Sequence, residues 1–360
     1  MKRTVGILLD HETFMGIRSR KTGYERIRFY EKAAGELNLK PFYMSLRKIS
    51  GATASGYTYS SGKYRLVKRP IPGVIHNRAM VLAPYWSRKL KKLARSCIMF
   101  NRITRFGKYR IYRILSRSGS LRGYLPETMK YSGQNLKRAM RKFGDLYIKP
   151  TSGSVGDGVL KISRKESGRW EICGKKKKAI RRSAAKTALL IARYIGRKSY
   201  LIQEAIPLPQ YRGRPYDLRV SVQRGGTGSW QVTGIVGKVA AKGRHVTNVA
   251  KGGKVRRCEQ LFEASGLPVE ETKSRVREAS LEIAEYLGER LPHLADIGLD
   301  MAVDESGRIK FIEMNGRDQR ITFGKAGLRT VFYSTYLTPL AYARYLMDNV
   351  KNKSGGPKND

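Results

Sequence analysis

Gly144-Asp145-Leu146-Tyr147-Ile148-Lys149-Pro150, continuing into Thr151-Ser152-Gly153-Ser154-Val155-Gly156-Asp157-Gly158-Val159, is the stretch on which the reading of this chain turns. A short apolar run ends in a lysine and passes into a loop with three spaced glycines, after which Val159-Leu160-Lys161-Ile162 resumes the alternation of a strand. The pattern predicts a strand, a phosphate-cradling loop and a second strand. Gly153, Gly156 and Gly158 let backbone N–H groups approach an anion closely, and Lys149 at the strand end adds a compact positive charge. A plain hairpin turn with an incidental lysine fits these residues equally well, because short glycine patterns recur by chance. The rest of the chain has to decide.

At 360 residues, 41% of them hydrophobic, the chain is long enough for two or three domains with sizeable cores and is not a disordered polycation. Its charge is unusual: 73 Lys and Arg against 28 Asp and Glu give a net charge of +45. A field of that size attracts polyanions such as nucleic acid, anionic lipid or an acidic polymer, and says nothing about the fold. The excess is uneven, since no Asp or Glu occurs between Leu37 and Pro126. Cys97, Cys173 and Cys258 have neither zinc-site spacing nor the number for a disulfide framework, which points to a reducing interior. Val5 to Leu9 is too short for a signal sequence and no later stretch approaches membrane-span length, so the expected location is the cytoplasm.

Along the chain, Val5 to Leu9 reads as a buried strand, Tyr24 to Ala34 as a helix with Ile27, Tyr30 and Ala34 on one face, and Lys40 to Met44 as a second strand, together a β-α-β unit. Gly51 to Arg69 alternates as a hairpin does, and Val74 to Arg78 reads as a third strand. His76 at that strand's end is a candidate base, but a lone histidine there more often satisfies a local hydrogen bond. Ser87 to Ala94 and Lys108 to Leu115 are basic helical segments, and Asn135 to Phe143 is a short helix. Lys175 to Lys178 with Arg181 and Arg182 form the densest basic run, read as a solvated loop, with a docking patch for an acidic partner as the alternative. Ala184 to Ile195 is an amphipathic helix and Val276 to Leu291 a long one. Tyr200 to Ile206, Val220 to Arg224, Trp230 to Ala240 and Ile309 to Glu313 are strands. The 351–360 tail reads as disordered.

Two further constellations carry chemistry. Asp296 to Asn315 reads as two strands around an Asp304-Glu305-Ser306-Gly307 turn, which sets Asp300 across from Glu313 and Asn315. Glu313 and Asn315 are two apart and share a face, so two carboxylates and an amide oxygen offer the hard ligands Mg²⁺ prefers, while Asp304 and Glu305 in the turn are expected in solvent. Upstream, Asp217 and Arg219 share a strand face where an arginine can clamp phosphate, followed by Lys238 and the Thr247-Asn248-Val249-Ala250-Lys251-Gly252-Gly253 loop.

With these in chain order, the sequence resembles the ATP-grasp superfamily, and within it the endospore-coat-associated YheC/YheD group. The pattern runs through Lys108, Lys149-Pro150 and its glycine loop, Gln203-Glu204-Ala205-Ile206, Asp217-Leu218-Arg219, Asn248 with Gly252-Gly253, and Asp300, Glu313 and Asn315. The closer match rests on Tyr24 to Tyr30, Pro72 to Arg78, Leu125 to Thr128 and Thr338 to Leu346. The resemblance implies an α/β (α+β) ATP-grasp fold: an N-terminal β-α-β domain over 1–98, a first ATP-grasp subdomain over 99–200 and a second over 201–350. It also implies ATP with Mg²⁺, or Mn²⁺ in its place. Lys108 and Lys149 would contact phosphates, with Gly153, Ser154, Val155, Gly156 and Gly158 closing over them, and the hinge of Gln203, Glu204, Ala205 and Ile206 would meet adenine. Arg219, Lys238 and Asn248 would face the transferred phosphoryl group, and Asp300, Glu313 and Asn315 the metal. One departure stands out: many ATP-grasp chains place a proline soon after the Glu-x-Asn pair, where this one has Gly316-Arg317-Asp318-Gln319-Arg320.

The implied activity is ATP-dependent ligation of a carboxylate to an amine, or to a thiol, through an acyl phosphate. No Cys/His or Ser/His pairing suggests covalent catalysis, which suits that chemistry. The positive field favours an acidic or peptide-like substrate, and the resemblance brings association with the spore coat. The alternative is a non-catalytic ATP-grasp protein that binds polyanions or serves in spore structure. Nucleic-acid binding has charge alone behind it and would be non-specific.

Overall fold

The computed structural model describes residues 2–153, 157–174, 180–291 and 293–353. Among them, three sheets organise the chain. In the first, Arg3–Leu8 is central, with Leu39–Met44 parallel on one side and Val74–Asn77 parallel on the other, followed by Ile98–Phe100. The helix Ile27–Glu36 makes the crossover between the first two, because Ile27, Tyr30, Ala33 and Ala34 recur at helical spacing and are all buried. Beyond Leu39–Met44 comes the hairpin of Thr53–Ser60 and Lys63–Pro70, and Lys63–Pro70 pairs with Thr53–Ser60 alone. Gly56 allows that hairpin to close on the sheet, since a Cβ there would lie 2.5 Å from the Tyr43 carbonyl oxygen.

The second sheet runs Ile180–Arg182, Trp170–Cys173, Leu160–Arg164, Asp145–Pro150, Tyr200–Glu204, Thr128–Lys130, antiparallel throughout. The strand ending in Lys149-Pro150 therefore sits in its middle. Leu146, Ile148, Ile162 and Ile202 pack from it against the helices Gly133–Lys142 and Ala184–Ile195. Ser132 and Ser183 cap those helices by accepting from the amides of Asn135 and Lys186.

The third sheet runs Lys254–Arg256, Trp230–Val239, Arg214–Arg224, Asp296–Val303, Ile309–Asn315. Arg214–Arg224 is longer than the Val220 to Arg224 strand the sequence predicts. From Tyr216 to Gln223 every residue is buried, with Tyr216, Leu218, Val220 and Val222 facing the apolar core and Asp217, Arg219, Ser221 and Gln223 lining the opposite face. The helix Val269–Arg290 covers the apolar face through Val276, Ala279, Ile283 and Leu287. Asp304 corrects the expectation of a solvated turn: it is 1% exposed and accepts from the Ser306 and Arg308 amides and the Arg308 guanidinium.

A long helix, Arg329–Lys353, closes the molecule, reaching three residues into the segment read as tail, while 354–360 and the Lys175–Lys178 run lie outside the described residues. Its Phe332, Tyr336, Leu340 and Ala343 join Tyr30, Ala33 and Ala34 of the helix Ile27–Glu36 in one apolar cluster. Beside this cluster lies a buried knot of charge. Asp296 accepts from His76, Arg78 and Gln223 at 3.1, 3.2 and 2.7 Å and from Arg320, and Arg78 also pairs with Glu25 at 2.7 Å. Burial alone would raise the Asp296 pKa, but Arg320, His76 and Arg78 outweigh it and hold the carboxyl far below its ordinary range. Burial pushes His76 down to about 4, so it is a neutral donor locked in structure and not a base facing a substrate.

Asp296→Asn, which leaves Arg320 and Arg78 with less negative charge than they need, is expected to lower the unfolding free energy by about 3–5 kcal/mol in urea denaturation. A change below about 1 kcal/mol would show that the knot does not hold the first and third sheets together.

Candidate active site

The second and third sheets face one another across a cleft. Its walls include Lys149, Gly153, Gln203, Glu204 and Ile206 on one side and Asp217, Lys238, Asp300 and Glu313 on the other, with Lys108 and Asn248 at the margins. Arg219, Asn315, Ala205 and Gly158 are not part of its lining. Ser154, Val155 and Gly156 lie outside the described residues.

Each side chain is placed by a simple local rule. Lys149 precedes Pro150 at the end of a central strand and donates to the Gln203 side chain on the neighbouring strand, which in turn donates to Thr128 at 2.9 Å. Burial and the nearby Lys108 lower the Lys149 pKa to about 8. Lys108, the first residue of its helix, reaches across and pairs with Glu313. Gly158 has φ +75, and a Cβ there would meet the Tyr200 hydroxyl at 2.9 Å, so the glycine loop can return to its sheet only with this residue. Across the mouth, Lys251 pairs with Asp157 at 3.0 Å, joining the glycine loop to the loop that carries Asn248.

The hinge residues are more engaged than the sequence implies. Glu204 accepts from the Glu127 amide at 3.0 Å, and the Ala205 amide donates to the Asp145 carbonyl. Asn248 accepts from the Ala250 amide at 2.8 Å, capping the turn over Val249–Lys251. Two residues that the sequence reading did not single out as site residues also line the cleft: Tyr147 and His245, with the Tyr147 hydroxyl donating to the His245 carbonyl at 3.1 Å. Burial lowers His245 to about 4. Strand alternation could have pointed to Tyr147, which shares a face with Lys149.

The acidic side is an ordered array. Asp300 stands directly opposite Glu313, and Gly298 opposite Asn315. Burial would raise Asp300, but Arg219 and Lys238 overcome it and hold the carboxyl down at about 2, while burial raises Asp217 to about 6 against the pull of Lys238. Arg219, read from sequence as a phosphate clamp, is 7% exposed and turned onto Asp300 and Asp318. The Asn315 amide nitrogen is buried without a partner. Because an amide can present either end, Asn315 can supply an oxygen beside the two opposed carboxylates, and this donor set fits a hard divalent cation.

The segment after Asn315 explains the missing proline. Arg317 donates to Asp10 and to the Arg78 carbonyl, and Arg320 to the Tyr30 hydroxyl at 3.1 Å and to Asp296, so both arginines reach the layer of the first sheet and the loop is anchored by charge.

A family model described as YheC/D like ATP-grasp matches residues 96–346. The chain belongs to this YheC/D-like ATP-grasp family. Two curated relatives are the endospore coat-associated proteins of Bacillus subtilis (strain 168): YheD, 25% identical over 308 residues covering 82% of this chain and 68% of that protein, and YheC, 22% identical over 316 residues covering 85% and 86%. Among solved structures, the ATP-grasp ligase PsnB, complexed with a phosphomimetic variant of its minimal precursor, Mg and ADP, aligns with a TM-score of 0.51 at 14% identity over 93% of this chain and 99% of that one. VanG D-Ala:D-Ser ligase from Enterococcus faecalis aligns with a TM-score of 0.51 at 12% identity over 96% and 100%. These likenesses establish an ATP-grasp fold. No helix among the described residues is long and apolar enough to cross a membrane.

The depressed Lys149 has a measurable consequence for this ATP-grasp cleft. A phosphate beside it favours the ammonium, so ADP affinity is expected to be nearly constant below pH 7 and to weaken as pH rises through about 8. Titrating ADP between pH 6.5 and 9.5 checks this. Lys149→Met should bind more weakly and lose the inflection, and an unchanged inflection would assign it to another group.

Proposed function

We propose that this protein is an ATP- and Mg²⁺-dependent ligase that activates a carboxylate as an acyl phosphate and passes it to an amine or a thiol. The observation that carries the reading is the convergence, on one cleft between two sheets, of the cations Lys108, Lys149 and Lys238 with the opposed carboxylates Asp300 and Glu313. Cations at fixed positions stabilise the charge that develops on a transferred phosphoryl group without reorganising. Lys149 enters from the glycine-loop side and Lys108 from the helix beside Glu313, and both would hold phosphate oxygens, while Lys238 stands on the wall opposite Lys149. Asp300, Glu313 and Asn315 would hold Mg²⁺, which neutralises phosphate charge when bound. Asn248, at the rim, would contact the reacting group, and Ile206 with Tyr147 would pack against the base.

The substrate we infer is acidic or peptide-like. The net charge of +45 and the acid-free span from Leu37 to Pro126 favour capture of polyanions, and the same surface would bind nucleic acid weakly and without sequence preference. Work inside the cell or at the spore coat is the setting suggested by the cysteine pattern and by the names of the two curated relatives.

The test is Mg-ATP turnover to ADP and phosphate with pooled amino acids and acidic peptides, comparing wild type with Glu313→Gln. Substrate-stimulated ADP release is expected in the wild type, with a loss of about 100-fold or more in the variant. Stimulation by acidic acceptors is expected to weaken as salt rises. Failure to bind ATP at all would sink the ligase reading.

A further inference from the structure

The polar face of the third sheet carries an alternating row of charges: Asp217, Lys238, Asp300, Arg219, Asp318. Lys238 Nζ lies 3.2 Å from Asp217 and 3.0 Å from Asp300. Arg219 Nε donates to Asp300 at 2.7 Å and its Nη1 to Asp318 at 3.1 Å. Both cations therefore share Asp300, and each has a second carboxylate of its own. Asp217 is itself fixed by the Thr247 hydroxyl at 2.5 Å.

Asp318 does not belong to the sheet. It follows Ile309–Asn315 and enters the face at Gly298, which stands opposite Ser221 and Asn315. A Cβ at position 298 would come within 2.5 Å of Asp318 Oδ1 and 3.2 Å of Arg219 Cδ. The gap in the row of side chains at Gly298 is thus filled by the Asp318 carboxylate. That carboxylate is fully buried, and its backbone carbonyl is held by Arg78 at 2.9 Å. Asp318 lies behind the cleft wall, so it is placed to act on Arg219 and not on a ligand.

We propose that Asp318 is a positioning residue, the anchor that keeps Arg219 paired and aimed when Asp300 turns to a metal and nucleotide. The proposal rests on the ligase reading, because it is that reading which calls on Asp300 as a metal ligand. A buried arginine stripped of its only carboxylate would be left uncompensated, which is strongly unfavourable. With Asp318 on its other edge, Arg219 keeps a partner through the exchange, and Asp217 gives Lys238 the same second hold. Asp300 can then be released to a metal without unpairing either cation.

Titration calorimetry of ADP, with and without Mg²⁺, on the full-length protein and on Asp318→Asn and Gly298→Ala tests this. Asp318→Asn keeps the shape and removes the charge, whereas Gly298→Ala keeps every charge and displaces Asp318. Thermal unfolding of the metal-free proteins checks that each is folded, and Asp318→Asn decides alone if Gly298→Ala is not. Without metal, Arg219 retains Asp300 in all three, so ADP affinity is expected to agree. The tightening that Mg²⁺ confers on ADP is expected to shrink by about 10- to 100-fold in both variants. Equal tightening in Asp318→Asn and wild type overturns the proposal, and so does an equal loss with and without Mg²⁺, which marks a purely structural role. If the wild type shows no Mg²⁺-dependent ADP binding, the ligase reading falls and takes the proposal with it, an outcome distinct from the other two.

Discussion

A single buried carboxylate, Asp296, sets the relation between the first sheet and the sheet that carries the acidic side of the cleft. It begins the strand Asp296–Val303, and its partners come from three directions: His76 and Arg78 from the first sheet, Gln223 from the neighbouring strand and Arg320 from the segment after Asn315. Charges taken this far from water are tolerated only when their partners are fixed, so the geometry is demanding. Because Asp296, Gly298 and Asp300 lie on one face, the strand that is pinned at one end by the junction of the first and third sheets presents a candidate metal ligand two steps further on. The position of Asp300 is inherited from the junction.

Much of this was legible in the sequence where spacing repeats locally. The two strands around Lys149 and the β-α-β opening follow from periods of two or 3.6 residues, whereas Asp300 faces Glu313, as the turn between their strands leads one to expect, through a register shift between Asp300 and Met301. What stayed hidden depends on residues far apart in the chain. The contact of Arg219 with Asp318 is hidden because nothing nearby in the sequence says that Asp318 will occupy the gap at Gly298. Asp304 reads as a solvated turn residue until its carboxylate is seen gathering its own turn's amides. The helix Arg329–Lys353 carries Pro339 and apolar residues on several faces, so neither a clean stripe nor an absence of breakers announces it.

The cleft combines rigid and releasable contacts. Lys149, Asp217 and Asp300 sit on inner strands of their sheets and Glu313 on the strand that ends the third, whereas Lys251 and Asp157, on the two loops at the mouth, form an exposed pair. A solvent-exposed ion pair contributes about 0–1 kcal/mol, far less than the strand pairing behind it.

The outer strand Lys63–Pro70 brings a different consequence. Among the described residues it forms the free margin of a seven-stranded sheet, and it reads Lys-Tyr-Arg-Leu-Val-Lys-Arg-Pro with no acid to offset the bases. An unpaired margin of that length is a template on which another chain can zip. Two copies brought edge to edge would have to press rows of lysine and arginine together, and Pro70 has no amide to contribute to a ladder. The basic excess in this region therefore acts between molecules, by keeping like sheets from joining.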